Sequence, residues 1–245
     1  MSASMRFRVR LGKGDEMRFV SHLGYMRAFE RAVRRARIPV AYSLGYHPHP
    51  KISFATALGV GMTSEAEYLD IELNLADSGE LSTLEVFELL QAATPQGMPV
   101  IAACAAHGKP ALASSIEWAS YRANVQASIQ PDLERAATEL LASESAIAEI
   151  NTKSGRRRAD IRPMVRNISW RSGGVLECTL ACGGRAHLRP QDLLAHLGLI
   201  GACVYRTGLY FTDRESGDLV SPMSVECTDL VMAMGFRPGE LTRGS

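Results

Sequence analysis

The chain has 245 residues, of which 46% are hydrophobic and 22% charged, so it can bury a core without disulfides or structural metals. Its five cysteines contain no CxxC pair and no zinc-site spacing, which argues against a disulfide scaffold and a zinc module. No apolar run approaches the length of a membrane span and no secretory signal opens the chain, so we expect a reduced, cytoplasmic, globular protein without membrane contact.

The formal net charge of +1 conceals an uneven distribution of charge along the chain. Residues 1–37 contain ten Lys/Arg and three Asp/Glu, residues 38–150 contain four and fourteen, and residues 151–245 contain thirteen and nine. The segment charges are therefore +7, −10 and +4, which sum to +1. Because a local positive potential attracts a polyanion whatever the total charge is, near-neutrality does not exclude a nucleic-acid partner.

The first predicted element is a strand in the stretch MRFRVRLG, residues 5–12, where basic and apolar residues alternate. Side chains two apart on a strand share a face. One face is predicted to be apolar, with Phe7, Val9 and Leu11, and the other cationic, with Arg6, Arg8 and Arg10.

A helix is predicted to follow, with Ser21 as its N-cap and Pro39 limiting its end. Its apolar face is predicted from spacings of three and four residues as Leu23, Met26, Phe29, Val33 and Ala36. A second face carries four arginines with the same helical spacing: Arg27, Arg31, Arg34 and Arg35.

The rest of the first half contains one strand within residues 40–61, a second strand in AEYLDIELNL, residues 66–75, a helix, and a strand in GMPVIAACAA, residues 97–106. The strand at residues 66–75 is predicted to place Tyr68, Asp70 and Glu72 on one side. The helix begins with a capping box formed by Ser82 and Glu85.

The second half repeats this order of elements. Strands are predicted at residues 117–126, 162–171, 173–182 and 202–211, and a short helix at residues 190–197. A long helix is predicted over residues 131–150, with Leu133, Ala137, Leu140, Leu141, Ile147 and Ile150 turned inward.

These patterns predict an α+β protein built from two ferredoxin-like (β-α-β-β-α-β) halves in tandem. The first domain is expected over residues 1–105, a linker over residues 106–115, and the second domain over residues 116–212. Residues 213–245 are less patterned and are expected to form a C-terminal extension.

The segment GYHPHPK presents His47, His49 and Lys51 on a proline-stiffened stretch. Such a stretch suits contacts with phosphates or bases, and a structural turn with solvent-facing histidines is the plain alternative. A metal site that adds His22 is disfavoured, because structural zinc takes four ligands and no cysteine or carboxylate motif accompanies the histidines. We assign no metal, and the glycine-rich stretches GVGMT and CGGR lack the spacing of nucleotide-binding loops, so we assign no cofactor.

His22 and Lys51 are the two catalytic candidates. His22 lies in the first turn of the arginine-rich helix, where the positive potential favours a neutral imidazole that can act as a general base. With Lys51 stabilising a charged phosphorane, it could cleave RNA at a ribose 2′-hydroxyl. A lone histidine is more often structural, and we assign no reaction to the chain.

The second basic cluster lies in NTKSGRRRADIRPMVR, residues 151–166, which we read as a mobile loop or hairpin tip. Its predicted phosphate contacts are Lys153, Arg156, Arg157, Arg158 and Arg162. A solvated surface loop without a partner is the alternative, since runs of charge are common on protein surfaces.

The stretches RFVSHLGYMRAFERAVRRARIPVAYSLGYHPHPKISF and ALGVGMTSEAEYLDIEL, followed by KSGRRRADIRPMV and LRPQDLL, resemble a bacterial family known as radical SAM-linked proteins, a domain of unknown function. The resemblance covers most of residues 5–210. It implies an accessory or substrate-recognition role beside a radical SAM enzyme. The chain has no CxxxCxxC triad for the iron-sulfur cluster of that chemistry, so such an enzyme would act in trans.

We therefore predict an RNA-binding accessory protein for tRNA or rRNA, with no preference for DNA. The arginine-rich helix and the second basic cluster are expected to converge on one RNA, with His47, His49 and Lys51 between them. One alternative is a metal-independent endoribonuclease similar to the CRISPR repeat-processing RAMP proteins. The other is a protein-interaction adaptor that binds an acidic partner and no RNA.

Overall fold

The computed structural model describes residues 4–74, 81–106, 111–126, 129–152, 155–223 and 229–234, which form a mixed α+β structure with mostly antiparallel strands and few helices. The chain divides into two compact units. Unit 1 comprises Met1–Ser115 and Val220–Ser245, and unit 2 comprises Ile116–Leu219. Among the described residues, no helix has the length and apolar character needed to cross a bilayer.

Unit 1 contains strands β1 (Ser4–Lys13), β2 (Ile52–Phe54), β3 (Thr63–Asn74) and β4 (Val100–Ala105), and helices α1 (His22–Arg35), α2 (Thr83–Ala93) and α3 (Leu112–Ser115). The strands lie in the order β4-β1-β3-β2, and each neighbouring pair is antiparallel. Helix α3 falls inside the segment predicted to be a linker, of which residues 107–110 lie outside the described part.

The core of unit 1 lies between one face of this sheet and the two longer helices. Phe7, Val9 and Leu11 of β1 are fully buried, which confirms the apolar face predicted for this strand. Together these buried side chains provide most of the hydrophobic stabilisation of the unit. The other members include Tyr25, Phe29, Val33, Leu69, Ile71, Leu73, Val86, Phe87 and Leu90.

The predicted apolar face of α1 is wrong in part. Leu23 is 55% exposed, whereas Tyr25, Ala28 and Ala32 are buried beside Phe29 and Val33. Spacing alone allows a face to be rotated by one position, and the Tyr25 hydroxyl decides the rotation here by donating to the Gly12 carbonyl at 2.8 Å. The predicted N-cap is confirmed, because Ser21 Oγ accepts from the Gly24 N–H at 3.2 Å.

The three arginines on the other side of β1 do not form the free cationic face that the alternation predicted. Arg8 is buried and forms two hydrogen bonds with the Asp70 carboxylate of β3, at 2.8 and 3.0 Å. The Arg6 and Arg10 side chains donate to the carbonyls of Ala106 and Glu65. These guanidinium groups therefore hold unit 1 together, because a buried charge requires a partner.

Strand β3 is buried at nine consecutive positions, Thr63–Ile71, although a strand with one solvated face would alternate. Five of these buried residues are polar or charged: Thr63, Ser64, Glu65, Glu67 and Asp70. The predicted placement of Tyr68, Asp70 and Glu72 on one side is confirmed, because all three lie opposite the arginines of β1.

Unit 2 contains strands β5 (Trp118–Asn124), β6 (Ile147–Thr152), β7 (Gly155–Asp160), β8 (Val165–Arg171), β9 (Val175–Ala181) and β10 (Val204–Thr212). Its helices are α4 (Gln130–Ala142) and α5 (Pro190–His196). Four strands lie in the antiparallel order β10-β5-β9-β8, and β6 and β7 form a separate two-stranded hairpin.

The helix predicted over residues 131–150 is too long. Helix α4 ends at Ala142, and residues 147–152 form β6 instead. Leu133, Ala137 and Leu140 are buried as predicted, but Ile147 is 50% exposed and Ile150 is buried within a strand. The correction follows from pairing with β7, since Ile150 lies opposite Arg157 in a partner strand that residue spacing within 131–150 cannot reveal.

The described residues of the predicted C-terminal extension include two short strands, β11 (Leu219–Val220) and β12 (Val231–Met232). Strand β12 extends the sheet of unit 1 by pairing with β4, and the Asp229 carboxylate accepts from the Thr83 hydroxyl and the Ala105 N–H. The segment around Asp229 therefore belongs to unit 1.

Cys178 and Cys203 lie in different environments. Burial raises the pKa of the Cys178 thiol to about 12, whereas the Cys203 side chain is exposed. At pH 8 only about one Cys178 thiol in ten thousand would be ionised. We expect iodoacetamide to label Cys203 at least about a hundredfold faster than Cys178 in the folded protein. Peptide mass spectrometry measures both rates, urea should make them similar, and equal rates without urea would contradict the assignment.

Candidate nucleic-acid interface

The four arginines predicted on α1 do share an exposed face. We call Arg27, Arg31, Arg34 and Arg35 the arginine face. Within the part of the chain that the structure describes, none of these four side chains forms an ion pair or a hydrogen bond. Arg34 and Arg35 lie in the last turn, where they also complement the partial negative charge of the helix C-terminus.

The segment from Tyr42 to Pro50 forms a protruding ribbon that we call the histidine loop. Backbone bonds close its base: the Ser43 N–H donates to the His49 carbonyl at 2.9 Å, and the Lys51 N–H donates to the Ala41 carbonyl at 2.8 Å. The Ala41 N–H in turn donates to the Glu72 carbonyl of β3. These contacts fix the base of the loop to the edge of the sheet.

The tip of the histidine loop exposes large side chains that a lone chain would normally bury. Leu44 is fully exposed, Tyr46 is 94% exposed and Tyr42 is 49% exposed. The His47 ring meets the Tyr46 ring edge-on, with centroids 5.0 Å apart. Ser43 Oγ lies 2.8 Å from His49 Nδ1, and the predicted contact residues His47 and His49 are both exposed.

The structure brings the arginine face and the base of the histidine loop together. A notch of about 150 Å³ lies between them, lined by Glu30 and Arg34 of α1 and by Tyr42 and Pro50 of the loop. Its floor is formed by apolar residues: Val33, Ile38, Val40 and Ile52. Sequence reasoning missed Glu30 and Tyr42, which carry no motif and become neighbours only through the fold.

The two catalytic candidates occupy different environments. The Lys51 Nζ donates to Glu72 Oε2 at 2.7 Å, and both side chains are partly exposed. The His22 ring packs edge-on against Phe54 with centroids 5.8 Å apart. The Glu72 carboxylate offsets the positive charge that Lys51 would need to stabilise a phosphorane. Catalysis by this pair remains a prediction.

No group of three or more possible metal ligands occurs among the described His, Cys, Asp and Glu residues. This statement includes His22, His47 and His49, the three histidines considered for a metal. Their contacts are with Phe54, the Tyr46 ring and Ser43 Oγ respectively.

The second basic cluster is a strand of a hairpin. We call β6 and β7 the basic hairpin, which exposes Arg156, Arg157 and Arg158 on β7. Side chains alternate along a strand, so Arg156 and Arg158 share one face and Arg157 lies on the other. Arg156 Nη1 lies 3.7 Å from Glu149 Oε1, an exposed pair of little energetic weight. Lys153 lies outside the described residues.

Arg162 is engaged within unit 2. Its Nη1 donates to the Val165 carbonyl and its Nη2 donates to the Leu141 carbonyl, both at 3.0 Å. The second bond satisfies a carbonyl in the last turn of α4, which leaves less of the guanidinium for a phosphate. A contact between Arg162 and RNA therefore remains a prediction, and a phosphate would have to compete with these two carbonyls for the guanidinium.

Two acidic residues hold the basic hairpin: Asp192 fixes Asn151 of β6 to α5, and Asp160 closes the base of the hairpin. The Asp192 carboxylate, buried in α5, accepts from the Asn151 backbone N–H at 3.2 Å and from the Asn151 side-chain amide at 2.6 Å. At the other end, the N–H groups of Ala146 and Arg162 donate to Asp160 Oδ1. The Ala146 bond is the main reason that the pKa of the Asp160 carboxyl lies below its usual value.

Comparison with known proteins identifies a family and no characterised relative. A model of a family described as an uncharacterized protein conserved in bacteria (DUF2344) matches residues 6–190. This range includes α1, the histidine loop and the basic hairpin. A search of curated proteins found no match.

Proposed function

We propose that this chain, which belongs to that uncharacterized bacterial family, is an RNA-binding accessory protein for tRNA or rRNA. The observation that carries the proposal is the arginine face, which stands beside an exposed aromatic loop and has no partner within the described residues. Guanidinium groups bind phosphates, and exposed aromatic rings stack on unpaired bases.

A contrast within the chain supports this reading. Several other arginines stand beside a carboxylate: Arg8 contacts Asp70, Arg122 and Arg171 contact Glu177, and Arg135 contacts Asp132. The arginine face contains four cations on one helix without this compensation in the described part of the chain. Four adjacent like charges repel one another, so a polyanion would relieve a cost that the free protein carries.

We also propose that both units are ferredoxin-like. In support, each unit has the element order β-α-β-β-α-β, with the basic hairpin inserted after the first helix of unit 2. The corresponding strands have the same order, β4-β1-β3-β2 in unit 1 and β10-β5-β9-β8 in unit 2. Paired modules of this kind commonly bind RNA, which is an argument from analogy.

The accessory part of the proposal rests on the resemblance to radical SAM-linked proteins. These 245 residues contain no CxxxCxxC triad, so the proposal assigns the radical chemistry to a radical SAM enzyme, to which this chain would present the RNA. The two other readings, a ribonuclease and an RNA-independent adaptor, are distinguished by the binding experiment below.

The salt dependence of RNA binding tests the proposal. We expect binding to bulk tRNA or an rRNA fragment to weaken steeply with added salt, because bound arginines displace counterions from phosphates. The triple variant Arg27→Ala, Arg31→Ala and Arg35→Ala should bind at least about tenfold more weakly in low salt. Its log K against log salt plot should be shallower by about 2, since each lost phosphate contact contributes about 0.7.

The matched control is a triple variant in three other exposed arginines, Arg135→Ala, Arg185→Ala and Arg214→Ala. This control removes the same charge, and it should keep most of the RNA affinity of the native chain and most of the slope of its log K against log salt plot. Equal losses in the two variants would show that binding follows total charge alone. Failure of the native chain to bind RNA would favour the adaptor, and RNA cleavage abolished by His22→Ala would favour the ribonuclease.

A further inference from the structure

The notch between α1 and the histidine loop has the features of a small binding site. Its volume of about 150 Å³ is below the roughly 300–1,000 Å³ of pockets for drug-sized ligands, so it suits one planar ring. Val33, Ile38 and Val40 form a buried apolar floor. The half-exposed ring of Tyr42 lies at the side of this floor, where it can stack on a ring that enters.

Opposite charges flank the notch without neutralising each other. Glu30 and Arg34 are one turn apart on α1, a spacing at which such side chains usually pair. Within the described residues, neither forms an ion pair or a hydrogen bond. The notch therefore offers a carboxylate that can accept a hydrogen bond and, one turn further along the helix, a guanidinium that can bind an anion.

We infer that the notch binds one unpaired nucleobase with an exocyclic amino group, in the RNA held by the arginine face; this rests on the proposed function. The base stacks on Tyr42, its amino group donates to the Glu30 carboxylate, and its phosphate contacts Arg34. Cytosine suits the small volume best. Uracil offers only its ring N3–H in place of the exocyclic amino group, and a base inside an A-form helix leaves its stack only at an energetic cost, so the site favours unpaired cytosine over both.

Charge and size favour a nucleotide over other occupants. The three remaining guanidinium groups of the arginine face continue along the same helix from Arg34, so a chain that carries one phosphate per base can extend along them. A peptide side chain would leave these groups without phosphates. The notch thus deepens the proposed function by naming an unpaired nucleotide of the bound RNA as its ligand.

Competition between short RNAs tests the inference. Ten-nucleotide oligo-C and oligo-U, and a duplex of the same length, would be measured by fluorescence anisotropy with the full chain. We expect oligo-C to bind about tenfold more tightly than oligo-U, the difference made by one hydrogen bond to a charged acceptor. Glu30→Ala, which removes the acceptor, should bring the ratio of the oligo-C to the oligo-U affinity close to one, while Glu88→Ala on the exposed side of α2 should keep that ratio.

Two substitutions of Tyr42 distinguish the loss of ring stacking from damage to the fold. Tyr42→Ala should weaken oligo-C binding about tenfold and leave duplex binding unchanged, whereas Tyr42→Phe should restore oligo-C binding because it keeps the ring. Equal affinity for oligo-C and oligo-U, or the same loss of duplex binding in Tyr42→Ala, would overturn the notch while leaving the RNA-binding proposal in place. Absence of binding to every RNA would remove both.

Discussion

Asp70→Ala is expected to lower the free energy of unfolding of unit 1 by about 3–5 kcal/mol, the largest stability effect that we predict. The reason is Arg8, whose guanidinium is buried and receives its main countercharge from Asp70 through two hydrogen bonds. Removal of the carboxylate leaves a buried cation without this countercharge, and a hydrogen bond to a neutral group such as the Pro222 carbonyl, at 3.1 Å, does not replace it. Urea unfolding of the full chain, followed by circular dichroism, measures the loss.

The control for this prediction is an exposed pair of the same chemistry. Asp132→Ala removes a carboxylate 2.9 Å from Arg135 on the surface of α4 and should cost less than about 1 kcal/mol. The double variant Arg8→Met and Asp70→Leu should recover most of the stability, because it removes both buried charges. A loss near 1 kcal/mol or less for Asp70→Ala would show that the Arg8 site tolerates a missing countercharge.

Removing the arginines of both the arginine face and the basic hairpin is expected to have the largest effect on RNA binding. The variant Arg156→Ala, Arg157→Ala and Arg158→Ala should weaken binding to full-length tRNA by about tenfold and leave binding to a ten-nucleotide oligomer unchanged. Combined with the triple variant of the arginine face, it should weaken tRNA binding by about a hundredfold to a thousandfold. Two linked contacts on one ligand reinforce each other, so losing both costs more than losing either.

The comparison of tRNA with a ten-nucleotide oligomer distinguishes a contact at the basic hairpin from a general effect of charge. Removing Arg135, Arg185 and Arg214 instead of the hairpin arginines, in the same arginine-face background, should add little loss. Thermal unfolding should be similar for all variants, because Arg156, Arg157 and Arg158 are exposed. Unchanged tRNA affinity in the hairpin variant would show that the basic hairpin does not bind this RNA.

Short sequence patterns correctly predicted the features that depend only on residues close together in the chain. Ser21 as the cap of α1 and the capping box of Ser82 and Glu85 are both confirmed, because each bond joins residues three apart in the chain. The exposure of Arg27, Arg31, Arg34 and Arg35 also follows from helical spacing. These features need no information from distant residues.

A hairpin tip was one reading of residues 151–166, but the two strands of the basic hairpin were not predicted, because their pairing is not visible in either strand alone. Ile147 and Ile150 are three apart, which suits a helix, and residues 155–160 contain three arginines in succession and no apolar alternation. The pairing of Ile150 with Arg157, and the bonds from Asn151 to the buried Asp192, decide the structure instead. Contacts between residues about 40 positions apart have no signature in residue spacing.

The alternation of residues in β1 correctly predicted which side chains share a face of the strand. It did not predict that the face with the arginines is covered by other parts of unit 1. Arg8 and Arg27 look equally available in the sequence, yet one is buried against Asp70 and the other is exposed on α1. The difference depends on which strand lies alongside. For the same reason, the notch could not be predicted, since Glu30 and Tyr42 are separated by the end of α1 and a turn.

The continuous burial of β3 affects how substitutions in this family should be interpreted. A scale based on residue type would score Ser64, Glu65 and Glu67 as tolerant surface positions, whereas all three are enclosed. Their backbone amides should be among the last to exchange with deuterated solvent, because opening them requires the surrounding structure to come apart. In a saturation mutagenesis experiment this polar strand would therefore resemble a hydrophobic core.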